Sequence, residues 1–293
     1  MSFKDCLQFL FFKKIKVVIS IMPRILVIFW GRLVGISIYF LDKKHRSIAQ
    51  ANLSQAMGPD FSSHSIKKIS RRCFIHFGQT FFDLIKFGQL SPKKKNKLIK
   101  IEGAEYLKKA LDQGKGILLF SGHFGNWEVA TPFLSSLTKL NVIARPLDNR
   151  LLEKELYKLR TKLGATIIYK QQAAKPILKS LSQGEMVAIL IDQNVLRSQA
   201  IFVDFFNKKA ATTPSLAAFH LRTKAALLPV FCYPLSSKQY FLKIYPPLKI
   251  HVSGNQSQDL LKITQICTKI IENQIKKNPE YWFWFHRRWK TRP

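Results

Sequence analysis

The stretch SGHFGNWEVA, Ser121–Ala130, sets a histidine five residues ahead of a glutamate, with Gly122, Gly125 and Asn126 beside them. A carboxylate that holds one imidazole nitrogen leaves the other free to take a proton. That is the equipment of a general base. On a continuous helix His123 and Glu128 would point ~140° apart. They meet only if His123 sits in a turn before the helix, and Gly122 and Gly125 permit such a turn. Asn126 is then a good N-cap, and Glu128 falls in the first helical turn, where the helix dipole keeps it ionised. The plainer alternative is an ordinary helix start with a histidine that only makes a hydrogen bond. Ser121 has no Gly-x-Ser-x-Gly elbow around it and is not read as a nucleophile. A second HFG, in HFGQTFFD at His76–Asp83, has its acid too late and no strand leading in, so His76 is read as structural.

The elements that must position these residues alternate. GILLFSG, NVIAR, ATIIY and MVAILID read as strands, and helices follow the first three, from about Asn126, through LLEKELYKLRTKLG and at AAKPILKSLSQG. Such alternation predicts an α/β fold with a mainly parallel sheet flanked by helices. It places His123 at the C-terminal end of a parallel strand, where open α/β sheets put their sites. Later strands at AIFVDFF, LLPVFCYP and YFLKIYPPLKI are expected to be partly antiparallel, and SQDLLKITQICTKIIENQIKK is a long amphipathic helix. Before the first strand, SPKKKNKLIK reads as a basic loop. The segment from His45 to Gly88 reads as helical with a break at GPDFSS, Ser62 or Ser63 capping the second helix.

Ile15–Leu41 is strongly apolar but carries Lys16, Arg24 and Arg32, eight residues apart and so about 80° round a helix from one to the next. One broad charged face fits a helix lying in a membrane interface, or a tilted anchor whose basic side chains snorkel. A buried helical hairpin of a soluble domain is the other reading. The division expected is a membrane-associating region over residues 1–45 and an α/β domain over 46–293.

The chain has 293 residues, 47% of them hydrophobic, which excludes a disordered chain. Lys and Arg total 48 against 17 acids, a formal net charge of +31. So basic a chain seeks nucleic acid, anionic lipid or an acidic protein. Nothing resembles a zinc finger or an RNP motif. Cys6, Cys73, Cys232 and Cys267 are far apart with no CxxC, which predicts free thiols and a reducing compartment.

The His-x4-acid box resembles that of the glycerolipid acyltransferases, and the fuller SGHFGNWE resembles the lipid A late acyltransferases of Gram-negative inner membranes. Further blocks resemble that family in the same order: HRSIAQANLSQAM, ARPLDN with Arg145, LRTKLGATII with Arg160, ILIDQN with Asp192, IFVDFFNKKAATTPSLAAF, and the ending NPEYWFWFHRRWKTRP. The departures are missing glycines after Asp192–Gln193, Asn207 in place of a usual Gly, and Trp289 in place of a usual Phe.

The resemblance implies a glycerolipid acyltransferase-like fold and transfer of a fatty acyl chain from acyl carrier protein to a hydroxyl of a lipid A precursor. No metal or cofactor is expected, with acyl-acyl carrier protein as co-substrate. His123 would take the hydroxyl proton and Glu128 would orient His123. Backbone amides near Gly125 and Asn126 are possible oxyanion donors. Arg145 and Arg160 are candidates for acceptor phosphate or for site architecture, and Asp192, at the end of a buried strand, is either near the site, as a substrate-binding residue, or structurally capped. Anionic lipid, the inner membrane at its cytoplasmic face and acyl carrier protein are the expected partners, and nucleic acid is not. Another membrane glycolipid or a lysophospholipid as acceptor, or a non-catalytic basic membrane-surface protein, are the alternatives.

Overall fold

A computed structural model describes residues 2–59, 61–236 and 238–293. The helices are α1 (Phe3–Ile21), α2 (Arg24–Leu41), α3 (Lys43–Met57), α4 (Ser63–Phe87), α5 (Pro92–Lys97), α6 (Ala104–Leu111), α7 (Thr131–Leu137), α8 (Arg150–Lys162), α9 (Ala174–Ser182), α10 (Ser215–Thr223) and α11 (Gln256–Lys277). The strands are β1 (Ile99–Glu102), β2 (Ile117–Ser121), β3 (Leu140–Ala144), β4 (Ala165–Tyr169), β5 (Met186–Leu190), β6 (Ile201–Phe205), β7 (Lys208–Thr212), β8 (Ala226–Pro234) and β9 (Tyr240–Ile244).

Seven strands form one sheet in the order β1-β9-β8-β2-β5-β3-β4, parallel throughout except between β8 and β9. The α/β fold with a mainly parallel, helix-flanked sheet is therefore the one that the alternation predicts. β2 is buried along its whole length, as a central parallel strand covered on both faces must be. Apolar clusters fill both faces. Leu118, Phe120, Phe231 and Ile271 belong to one, and Ile117, Leu119, Leu134 and Leu228 to the other.

The sheet is not continuous at its C-terminal edge. β3 pairs with β5 only over Leu140–Val142 against Met186–Ala188. Beyond that point Ile143 and Ala144 pair with β4 alone, while Ile189 and Leu190 pair with β2. The two halves splay apart there and leave a gap between β3 and β5. A separate hairpin joins β6 to β7 through Phe206 and Asn207, both in the left-handed region (φ +52° and +58°). Asparagine tolerates that conformation better than most residues, which explains its fitness where a glycine would also serve.

Two expectations change at the N-terminal end. The apolar run is two helices rather than one: Pro23 lacks an amide and cannot continue α1, so the chain breaks there and restarts as α2. The basic side chains also do not all snorkel outward. Lys16 Nζ lies 2.6 Å from Glu155 Oε2, and Arg24 makes a bidentate pair with buried Asp83 at 2.7 and 2.6 Å. Arg32 is exposed. The expected break at GPDFSS separates α3 from α4, with Ser62 Oγ accepting the Ser65 amide; Asp60 lies outside the described residues. The basic stretch after Ser91 is a short helix, α5, opened by Pro92, rather than a loop. The 45/46 division falls inside α3.

α2 is long and apolar enough, by length and composition, to cross a membrane. One face packs on α4 through Gly31, Gly35 and Gly78. A Cβ at Gly35 would stand 2.4 Å from the Phe74 carbonyl oxygen, and one at Gly78 would stand 2.3 Å from that of Gly31. The other face is open: Leu26, Phe29, Trp30 and Ile38 are exposed, as are Leu10 and Val17 of α1 and Phe81 of α4. Gly35→Val is expected to destabilise this helix pair by about 1–3 kcal/mol through overpacking. Limited proteolysis should then cut α1–α2 before the sheet domain; unchanged protection would count against the close contact.

Candidate active site

Strand register brings the site together. Ser121 on β2 pairs with Leu190 on β5, so two residues further on His123 stands beside Asp192. Asp192 is buried and takes three hydrogen bonds. His123 Nδ1 lies 2.8 Å from Oδ1, the His123 amide donates to Oδ2 at 2.7 Å, and the Trp282 indole Nε1 donates to Oδ2 at 2.6 Å. Burial alone would raise this carboxyl. The charge and hydrogen bonds of His123 and the Trp282 indole outweigh it and hold Asp192 below its ordinary value of 3.8. Whenever the His123 ring is neutral, an ionised Asp192 holds its proton on Nδ1 and leaves Nε2 as the bare lone pair.

The turn that carries His123 needs both glycines. A Cβ on Gly122 would meet Asp192 Oδ2 at 2.9 Å, and Gly125, at φ +64°, would put one 2.1 Å from the Cys232 carbonyl oxygen. The turn is braced from outside as well. His76 Nε2 lies 3.1 Å from Gly125 O, and the Phe283 amide donates to His123 O at 3.0 Å. Burial pushes the His76 imidazole down to about 4, in keeping with a structural role.

Glu128 is not the partner of His123. It is buried, and Arg160 on α8 grips its Oε1 from Nε at 2.8 Å and Nη2 at 2.5 Å. The reason is geometric: Trp127–Ala130 form a short 3-10 turn that leads into α7, so Glu128 is carried toward α8 instead of back toward His123. Asn126 does not cap this turn with its side chain. Its Nδ2 donates to the Tyr240 hydroxyl at 3.2 Å, and its Oδ1 is buried without a partner. Nor are the nearby amides free to bind an oxyanion, because Gly125 N donates to Tyr281 O and Asn126 N to Cys232 O, each at 2.8 Å. Arg145 is strongly exposed and lies 3.3 Å from Asp148.

His123, Glu128, Arg145 and Arg160 all line one cavity of ≈ 640 Å³, which opens at the gap between β3 and β5. That volume is typical of small-ligand sites, ~300–1,000 Å³. Leu119, Leu134, Leu140 and Val142 make part of it apolar. Sequence spacing missed Trp282 and the Asp192–His123 bond. The signal was present only in the paired strand ends, HFG after β2 and DQN after β5, and nothing in the sequence says that these strands are neighbours.

A histidine fixed by a buried carboxylate thus borders a partly apolar cavity that two arginines also line, and the chain's sequence relatives are acyl-transfer enzymes. The chain belongs to the bacterial lipid A biosynthesis acyltransferase family, whose model matches residues 7–291. It is 26% identical over 262 residues to a lipid A biosynthesis acyltransferase of Haemophilus influenzae, covering 88% of this chain and 80% of that one. It is likewise 26% identical over 277 residues to a lipid A biosynthesis palmitoleoyltransferase of Escherichia coli, covering 93% and 87%. A solved 1-acyl-sn-glycerophosphate acyltransferase of Thermotoga maritima aligns at a TM-score of 0.38 and 12% identity, over 86% of this chain and 97% of that one.

Two outcomes test the site. The stability that Asp192 supplies is full above its unfolded pKa of ~3.9 and is lost as pH falls through its lower folded value. The stability gap between wild type and Asp192→Asn in urea titrations should therefore narrow toward acid; a gap independent of pH would mean that Asp192 is not the ionised anchor. Arg160→Met leaves Glu128 buried and unpaired, at about 3 kcal/mol. A double-mutant cycle with Glu128→Gln should recover most of that loss.

Proposed function

We propose that this protein moves a fatty acyl chain from acyl carrier protein to a hydroxyl of a lipid A precursor, at the cytoplasmic face of the inner membrane. The observation that carries the reading is His123, clamped at Nδ1 by buried Asp192 with its Nε2 left for the cavity. His123 Nε2 takes the proton of the acceptor hydroxyl as its oxygen attacks the thioester carbonyl. Asp192, rather than Glu128, orients the ring and stabilises the imidazolium that forms, the division of labour of a triad without a covalent serine. The apolar part of the cavity suits the acyl chain.

Glu128 and Arg160 line the same cavity. Their ion pair fixes the Arg160 guanidinium, whose planar donors suit an acceptor phosphate. Arg145 at the rim adds a second cation for the same group. The exposed apolar faces of α1 and α2, with a net charge of +31, support seating on an anionic bilayer. The same charge favours an acidic carrier protein. No cofactor enters this chemistry.

Mass spectrometry of lipid A tests the reading. A strain lacking the protein should lose one secondary acyl chain, and His123→Ala should fail to restore it, with acyl transfer in vitro down ~10³-fold or more. Unchanged lipid A in the deletion strain would point to another lipid acceptor. Full activity of His123→Ala would remove the general base.

A further inference from the structure

Attack on a thioester places negative charge on the former carbonyl oxygen, and that charge needs hydrogen-bond donors. The amides nearest His123 are all engaged: His123 N with Asp192, Phe124 N with Gly122 O, Gly125 N with Tyr281 O and Asn126 N with Cys232 O. Arg160 Nε and Nη2 are held by Glu128. Those groups are spent; among the polar side chains that line the cavity, Ser121 Oγ and His286 Nδ1 are buried without a partner.

His286 lines the same cavity. It follows closely on Phe283, whose amide bonds His123 O. Burial is the main influence on its imidazole and pushes it down to about 4; Asp192 opposes this, while Arg288 and His123 add to it. The ring is therefore neutral at pH 7, and it lies within electrostatic reach of both members of the His123–Asp192 pair. Its Nδ1 is buried with no partner, and the ring borders the cavity. An isolated buried nitrogen is better left as a bare lone pair than as a stranded N–H, which puts the proton on Nε2.

The backbone around this ring is unusually fixed for one with no hydrogen bond of its own. Asn52 Nδ2 on α3 donates to Trp284 O at 2.8 Å and to His286 O at 2.7 Å. Fully buried Arg288 donates to Ala211 O and Thr212 Oγ1. Such anchoring preorganises a donor whose acceptor is not part of the protein.

We propose that His286 is a further catalytic residue: its neutral Nε2–H donates to the carbonyl oxygen of the acyl thioester and stabilises the oxyanion. Asn52 and Arg288 are its positioning residues. The inference rests on acyl transfer with His123 as base. The acceptor oxygen bonds the carbonyl carbon as its proton passes to His123 Nε2, and the C=O π pair moves onto the oxygen facing His286. The pair then returns, the C–S bond breaks, and the leaving thiolate takes the proton from His123. His286 exchanges no proton, and its neutrality spares the imidazolium on His123 a second cation beside it.

Steady-state kinetics of the full chain, with acyl-carrier-protein thioester and lipid A precursor, test this in wild type, His286→Gln, His286→Asn, Asn52→Ala and His123→Ala. The Gln amide nitrogen reaches roughly the Nε2 position, and that of Asn reaches roughly Nδ1. His286→Asn should lower kcat ~10²–10³-fold with little change in either KM. His286→Gln should stay within ~10-fold of wild type, and Asn52→Ala should lose kcat without losing affinity. Equal losses in Gln and Asn, a loss carried by the acceptor KM, or full activity in Asn would each overturn the assignment. Should His286→Asn not fold, an unchanged kcat in Asn52→Ala overturns it instead. An active His123→Ala strikes the underlying reading, whereas an inactive His123→Ala beside an active His286→Asn strikes His286 alone.

Discussion

A single buried carboxylate organises this protein. Asp192 binds the amide and the ring of His123 and the indole of Trp282, so it ties the end of β5 to the turn after β2 and to the C-terminal segment. Taking a carboxylate out of water is costly unless it is well bonded, and here three donors meet it. The same bonds that stabilise it also fix the tautomer of His123. Structure and chemistry share one group, and neither can be changed without the other.

Around that anchor the fold leaves a cavity. Adjacent β2 and β5 bring His123 and Asp192 together, while the parting of β5 from β3 opens the cavity beside them. The Glu128–Arg160 pair lines the same cavity. α2 is joined to the same region through Arg24, Asp83, Tyr240 and Asn126, a run of hydrogen bonds from the apolar helix to the turn that carries His123.

Much of this was legible in the sequence. The alternation of apolar runs and amphipathic helices gave the sheet class, and the glycines of SGHFG gave the turn, because both are local properties. The partner of His123 was not legible. Spacing favoured Glu128, close in sequence, but the bond goes to Asp192, a neighbour only through the pairing of β2 with β5. Asn126 has the composition of an N-cap, yet its amide turns to Tyr240, since a buried hydroxyl already bonded to Asp83 was the available partner. The outward charges expected at Lys16 and Arg24 were drawn inward for a related reason. Buried Glu155 and Asp83 wait for them across the fold, and a window along the chain cannot see that far.

The inward pull on acids reaches beyond those two pairs. Asp83, Glu128, Glu153, Glu155, Asp192, Asp259 and Glu272 are all buried, each bonded within the fold, whereas among the described residues Lys95 and Arg288 are the buried lysine and arginine. The scarce acids act as internal fasteners, so the outer coat is more nearly pure cation than the net charge of +31 conveys. Two copies meeting through that coat, away from the apolar face of α1 and α2, would face like charge. A coat of that kind repels its own likeness and is attracted by any dense array of anions.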